Sequence, residues 1–167
     1  VVLELLNEVQ GAFAAAVRAN GGIVDKFMGD GMLAVFRSVE TSAGGTQDHA
    51  RNALATTRAM AQALDPINDA WSERGLAPIR FGVGVHSGPV VTGCLGSGAR
   101  LEFTVIGDTV NTTSRLEALT KKKGVTVLVS EDTARLLSDG EPRLEPMGEV
   151  AIRGREAPLR VLTPCDD

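Results

Sequence analysis

Cysteine is scarce in this sequence, and the two that it has, Cys94 and Cys165, lie far apart and form no C-x-x-C pair. A disulfide framework and a zinc ribbon are therefore not indicated, and a reducing, cytoplasmic location fits this usage. No apolar run approaches the ~20 residues that span a bilayer, and no charged-then-apolar leader opens the chain. We expect a cytoplasmic domain without direct membrane contact of its own, although a longer protein could tether it to a membrane.

An excess of positive charge is also missing. The 17 lysine and arginine residues are outnumbered by 21 acidic ones, which gives a net charge of −4. The chain as a whole therefore has no electrostatic attraction to nucleic acid, and we expect no nucleic-acid partner. A partner rich in phosphate would have to be held by local groups.

The size and balance of the chain are those of one globular domain: 167 residues, of which 43% are hydrophobic and 23% charged. The first residue is Val1, without a preceding Met or a capping residue, and it already lies in an amphipathic pattern. We therefore expect residues 1–167 to be one domain and a piece of a longer protein.

The first half predicts two helices around a β-hairpin. A helix to about Asn20 is followed by two apolar runs that flank Gly29-Asp30-Gly31, a typical hairpin signal. Residues 39–46 form a polar loop. Residues 48–74 have helical composition but contain Pro66, which predicts a kink or a restart there with Asp65 as cap.

The second half predicts mostly strands. Residues 79–86 and 90–94 are β-rich runs joined by Ser87-Gly88-Pro89, which indicates a second hairpin. Further strands are expected at 102–106, 125–129, 143–153 and 159–162, with helices at 109–119 and after Ser130. Because strands and helices alternate irregularly, the fold class is an α+β sandwich with a largely antiparallel sheet.

The hairpin carries two candidate functional residues. Asp30, in a glycine-flanked turn, can offer its carboxylate to a hard divalent cation. Taken alone, an Asp-Gly is more commonly explained by ordinary turn chemistry. Lys26 precedes the turn, and a solvated strand lysine is its plain alternative interpretation.

A strand, a glycine turn and a helix follow one another at residues 103–115, an arrangement that points backbone N–H groups at an anion. Asn111 and Arg115 are four residues apart and share one face of that helix, where they could position a neutral oxygen and a phosphate. Alternatively, Asn111 is a local cap and Arg115 pairs with Glu117 or another surface acid. Walker A and G-x-G-x-x-G loops are missing, so P-loop and Rossmann sites are excluded.

Other polar residues give weaker signals. Arg153 and Arg155 flank a glycine and suit a polyphosphate, although a basic strand edge is the commoner explanation. His86 lies in an apolar run and is expected to be a core or interface residue rather than a catalytic base. No serine or cysteine lies in a nucleophile elbow, so acyl transfer is not indicated.

Three segments together resemble the catalytic domain of class III nucleotidyl cyclases, the adenylyl and guanylyl cyclase family. They are GGIVDKFMGDGMLAVF at 21–36, FGVGVHSGPVVTG at 81–93 and TVIGDTVNTTSRLE at 104–117. The resemblance covers nearly the whole chain. It implies a ferredoxin-like, palm-type sandwich and the conversion of a nucleoside triphosphate into its 3′,5′-cyclic monophosphate and pyrophosphate.

The resemblance also implies roles for individual residues. Asp30 matches the second of two aspartates that hold two divalent cations, Mg²⁺ or Mn²⁺. Lys26 and Thr104 match the pair that reads the base, and this combination is similar to an ATP site of the bacterial type. Asn111 matches the residue that orients the ribose, and Arg115 the one that stabilises charge on the α-phosphate.

Further implications concern the triphosphate and the partner. Arg153 stands where the family usually has a lysine that binds the triphosphate. The site of the family lies between two subunits, so the resemblance implies a homodimer or a cyclase heterodimer in which Lys26 and Asp30 serve different sites. The family's first metal aspartate lies on a strand that would precede Val1, and we expect this strand to be missing from the chain.

Two alternatives stay open beside an adenylyl cyclase: a guanylyl cyclase, and a catalytically silent cyclase-like domain that binds nucleotide and regulates another chain. A diguanylate cyclase is disfavoured because no G-G-[DE]-[DE]-F segment is present.

Overall fold

The computed structural model describes residues 2–38, 48–99, 102–138 and 141–165. The polar loop predicted at 39–46 lies outside these residues. The chain divides into two compact units, Val1–Phe81 and Gly82–Asp167, and each is described by itself. That residues 1–167 act as one domain stays a prediction. Within the described ranges, no helix has the length and apolar character needed to cross a membrane.

The first unit contains two helices and a β-hairpin. Its elements are α1 (Val2–Ala19), β1 (Ile23–Met28), β2 (Gly31–Val35) and α2 (His49–Glu73). α1 ends where the sequence predicts, because the backbone N–H of Gly22 donates to the carbonyl of Val17 at 2.9 Å and Gly21 adopts a φ of +78°. Both helices contribute buried apolar side chains to the core of this unit: Phe13, Val17, Leu54, Met60, Leu64 and Ile67.

The predicted hairpin is confirmed. β1 and β2 are antiparallel, and Met28 lies opposite Gly31, which leaves Gly29 and Asp30 as a two-residue turn. Gly29 has a φ of +61°, a conformation that glycine adopts without steric cost. The side chain of Gln10 on α1 donates a hydrogen bond to the Gly29 carbonyl at 3.2 Å. The turn is thereby tied to α1, and Asp30 is exposed at its tip.

The sequence predicts a kink or a restart at Pro66 with Asp65 as cap, and the restart with this cap is wrong. α2 runs without interruption from His49 to Glu73, and its N-cap is Asp48, whose side chain accepts the backbone N–H of Arg51 at 3.0 Å. A proline inside a helix costs about 3 kcal/mol. Burial of Leu64 and Ile67 on either side of Pro66 holds both halves of the helix against the core and offsets this cost.

The described residues of the second unit form six strands and two helices. They are β3 (Val83–Val85), β4 (Val91–Leu95), β5 (Glu102–Ile106), α3 (Asp108–Lys123), β6 (Val127–Ser130), α4 (Glu131–Ala134), β7 (Leu144–Val150) and β8 (Leu159–Pro164). The order of one sheet is β3-β6-β8-β7, and β4 and β5 form a separate ribbon. Only β3 and β6 are parallel among the described pairs. The predicted α+β class with a largely antiparallel sheet is confirmed.

The second predicted hairpin is wrong. β3 covers three residues of the expected strand and pairs with β6 in parallel, whereas β4 pairs with β5. The reason is the packing of α3 on β3. A Cβ added to Gly84 would lie 2.5 Å from the backbone of Glu117 and Thr113. The glycine thus serves a close approach of helix to strand, and the fully buried β6 provides the partner edge.

His86 directly follows β3, and its side chain is buried, as expected of a core residue. Its Nδ1 lies 2.7 Å from the hydroxyl of Ser130, and 5% of its side chain is exposed. Burial lowers the pKa of His86 below 6.5; Asp132 and Asp108 oppose this effect and Arg155 reinforces it. The folded protein therefore favours the neutral imidazole.

We expect protonation of His86 to destabilise the fold. Because its pKa is lower in the folded state, the unfolded chain binds the proton more tightly. Titration of His86 therefore leaves the free energy of unfolding unchanged above pH 6.5 and lowers it as the pH falls below 6.5. One proton contributes at most about 1.4 kcal/mol per pH unit. Urea unfolding at pH 8 and 5.5 should show a larger loss for the parent than for His86→Asn. His49→Asn should behave as the parent, and equal losses in all three proteins would contradict the assignment.

Candidate active site

Two of the predicted site residues lie on the β-hairpin of the first unit. Lys26 stands opposite Leu33 on β2, and 41% of its side chain is exposed. Its ammonium Nζ lies 3.5 Å from Oδ2 of Asp25. Asp30 is exposed in the turn that follows. The hairpin therefore presents a cation on its strand and a carboxylate at its tip.

Asp30 has the chemistry of a ligand for a divalent cation. Carboxylate oxygens are hard ligands, and an exposed position leaves room for water and phosphate oxygens around the ion. The described part of the chain contains no group of three or more His, Cys, Asp and Glu side chains that could hold a metal. The carboxylate of Asp30 fits Mg²⁺ or Mn²⁺ as one ligand.

The other predicted residues lie in the second unit, beginning with Thr104. Thr104 is on β5, opposite Gly93 of β4, and 5% of it is exposed. Its hydroxyl is thus held in a two-stranded ribbon whose other side chains include the exposed Val91 and Ile106.

α3 positions Asn111 and Arg115 on one face. The helix begins at Asp108 with Gly107 as its N-cap, and the N–H of Asn111 donates to the Gly107 carbonyl. The alternative in which Asn111 caps the helix is therefore wrong. Thr112 and Leu116, one residue further along, are both fully buried. They fix the rotation of the helix, so that Asn111 is exposed and Arg115 is partly exposed.

Arg115 and Arg153 are brought together through the backbone. The guanidinium of Arg115 donates a hydrogen bond to the carbonyl of Arg153. Arg153 lies in the turn between β7 and β8, which is closed by a bond from the N–H of Arg155 to the carbonyl of Ile152 and contains Gly154 at a φ of +91°. The side chain of Arg153 is exposed, and the contact with Arg115 is made by its backbone carbonyl.

Asp25 was missed by sequence reasoning. Only 2% of its side chain is exposed, although it lies in a short strand beside a lysine. The available signal was a charged residue inside the apolar run IVDKFM, but the backbone irregularity that buries it leaves no mark in the sequence.

A family model described as "Adenylate and Guanylate cyclase catalytic domain" matches residues 1–162. The chain belongs to this family. An adenylate cyclase of Anabaena cylindrica is 38% identical over 141 residues, which are 82% of this chain and 26% of that protein. The chain thus spans about a quarter of that relative's length.

Two solved cyclase structures have the same fold. The guanylyl cyclase Cya2 has a TM-score of 0.78 and 31% identity, over 96% of this chain and 78% of that one. The adenylyl cyclase CyaB from P. aeruginosa has a TM-score of 0.84 and 25% identity, over 99% of this chain and 82% of that one. The chain is therefore an adenylyl or guanylyl cyclase catalytic domain, and overall similarity does not choose between the two substrates.

Proposed function

We propose that this domain is an adenylyl cyclase, which converts ATP into 3′,5′-cyclic AMP and pyrophosphate. The observation that carries the proposal is Lys26, a partly exposed lysine on β1 whose ammonium lies 3.5 Å from the Asp25 carboxylate. N1 of adenine is a hydrogen-bond acceptor and suits a cationic donor, whereas guanine has an N–H there and calls for a carboxylate. Thr104 supplies a hydroxyl that can both donate and accept at the base edge.

The other residues act on the ribose and the phosphates. Asn111 orients the ribose so that its 3′-oxygen is in line with the α-phosphorus. As the 3′-oxygen bonds to phosphorus, the bond to the pyrophosphate oxygen breaks and the hydroxyl proton leaves to solvent. Arg115 stabilises the charge that develops on the α-phosphate, and Arg153 binds the triphosphate chain.

Asp30 would hold the divalent cations, Mg²⁺ or Mn²⁺. When bound, these ions lower the pKa of the attacking hydroxyl and neutralise the triphosphate. The carboxylate of Asp30 would contribute negative charge that attracts these ions.

We further propose that two chains share each site, as a homodimer or a cyclase heterodimer. Exposed apolar side chains beside the candidate residues support a partner surface: Phe27 and Met28 on the hairpin, and Val91 and Ile106 on the ribbon, are each about half exposed or more. In such a dimer Lys26 and Asp30 of one chain serve different sites.

The direct test is product identification. The full-length protein is incubated with ATP or GTP and Mn²⁺ or Mg²⁺, and the products are separated by chromatography. We expect cyclic AMP, with cyclic GMP at least about tenfold lower. Dominant cyclic GMP would make the domain a guanylyl cyclase. The absence of both products would favour a silent, nucleotide-binding domain.

Replacing both proposed base-reading residues, Lys26 and Thr104, should shift the substrate preference from ATP toward GTP. In Lys26→Glu with Thr104→Cys, the cationic donor becomes a carboxylate that can accept from guanine N1–H, so the ratio of ATP to GTP turnover should fall by about tenfold or more. Competition assays with both nucleotides measure the ratio. Lys122→Glu on the exposed end of α3 makes the same charge change and should leave the ratio unaltered. An unchanged ratio in the double variant would remove the assignment of both residues.

A further inference from the structure

One buried carboxylate has no part in the proposed reaction. Asp25 lies on β1 with 2% of its side chain exposed, and neither of its carboxylate oxygens accepts a hydrogen bond within the described residues. Its nearest cation is the Lys26 ammonium at 3.5 Å.

A β-bulge creates this contact. Val24 pairs with Ala34 and Lys26 pairs with the next residue, Leu33, so Asp25 is an extra residue without a partner on β2. In a regular strand, adjacent side chains point to opposite faces. A bulge bends the strand, disrupts this alternation and re-aims side chains, and bulges are frequent beside active sites. The bulge therefore allows the carboxylate of one residue to contact the ammonium of the next.

Stability does not explain the carboxylate. Burying an ionised group without hydrogen bonds is strongly destabilising. The ion pair with Lys26 returns little of that cost, because 41% of the lysine is exposed and water competes for its ammonium. A buried polar group that is not satisfied calls for a functional explanation.

We propose that Asp25 is a positioning residue that sets the nucleobase preference through Lys26, an inference that rests on the proposed adenylyl cyclase function. The buried carboxylate holds the ammonium from one side, so that its remaining N–H groups point at the acceptor atoms of adenine. The same negative charge opposes a second carboxylate at position 26. Asp25 thus favours an adenine-reading lysine at position 26 and disfavours a guanine-reading carboxylate there.

Four full-length proteins test the proposal: the parent, Asp25→Asn, Lys26→Glu, and both changes together. Asp25→Asn should raise the KM for ATP about tenfold and leave kcat within about twofold, because a charge-assisted contact that orients the base is lost and the reacting groups are untouched. Lys26→Glu alone places two carboxylates together and should use GTP poorly. The variant with both Asp25→Asn and Lys26→Glu should use GTP at least about tenfold better than Lys26→Glu alone.

Two controls separate positioning from a general loss of charge or fold. Asp69→Asn removes an exposed acid on α2 and should leave the KM values unchanged. Thermal unfolding should show Asp25→Asn to be at least as stable as the parent, since a costly buried charge is removed. An unaltered KM for ATP in Asp25→Asn, or equal GTP use by Lys26→Glu with and without Asp25→Asn, would overturn the proposal.

Binding measurements separate this proposal from the proposed function. If the parent forms no cyclic nucleotide, the adenylyl cyclase assignment fails, and the same four proteins are compared by equilibrium binding of ATP and GTP. Asp25 positions Lys26 if its replacement weakens ATP binding about tenfold and the two changes are non-additive for GTP. Additive effects in this cycle would contradict it.

Discussion

Replacing Asp30 with asparagine is expected to lower cyclic AMP formation by about a thousandfold, because the divalent cations supply several kcal/mol of charge stabilisation that a neutral amide cannot retain. Asparagine suits the two-residue turn, so the hairpin should keep its geometry. Steady-state rates across a Mg²⁺ titration measure the effect.

The control for Asp30→Asn is Asp69→Asn, which removes an equally exposed carboxylate away from the hairpin. Its rate should be that of the parent. Thermal unfolding should be unaffected in both variants, because neither carboxylate is buried. An Asp30→Asn protein that keeps more than a tenth of the parent rate would show that another group carries the metal function.

Truncating Arg115 to alanine should lower kcat by about 10²- to 10³-fold with a much smaller change in the KM for ATP, the range found when one preorganised donor is removed from a developing charge. Arg115→Lys should recover only part of the rate, since an ammonium cannot reproduce a planar fork that is able to bind a phosphate while it donates to the Arg153 carbonyl. Single-turnover rates at saturating ATP separate the chemical step from binding.

Arg135→Ala is the matched control for Arg115→Ala. Arg135 is an exposed arginine of the same unit, and its ion pair with Glu131 is largely solvated, so its removal should be nearly neutral. If Arg115→Ala raised KM and left kcat unchanged, Arg115 would bind the ground state only, and the role in charge stabilisation would be wrong.

Local signals in the sequence predicted several elements because the physical cause was itself local. The Asp-Gly turn, the glycine that ends α1 and the four-residue spacing of Asn111 and Arg115 are each decided by a few neighbouring residues. The structure agrees with all three. The assigned chemical roles of these residues stay predictions, since they depend on substrate and partner.

Features that depend on distant packing were not predictable. The partner of β3 is decided by the approach of α3 to Gly84, and the continuity of α2 through Pro66 by burial on both sides of it. The bulge at Asp25 is a third case, because the register of β1 on β2 determines it. Sequence periodicity shows which face of a helix or strand is apolar. These features depend instead on which other elements pack against that face.

Mixing two inactive variants tests the central claim, that ATP is cyclised at a site shared by two chains. In a mixed dimer of Asp30→Asn and Arg115→Ala, one of the two sites keeps both Asp30 and Arg115. Equal mixing should therefore restore cyclic AMP formation to about a quarter of the parent rate, as expected for random pairing of a symmetric dimer. Lys26→Ala mixed with Arg115→Ala should restore no activity. Lys26 and Arg115 of one chain serve the same site, so each site of the mixed dimer lacks one of the two residues. Failure of the first mixture to recover activity, or recovery in the second, would contradict the shared site.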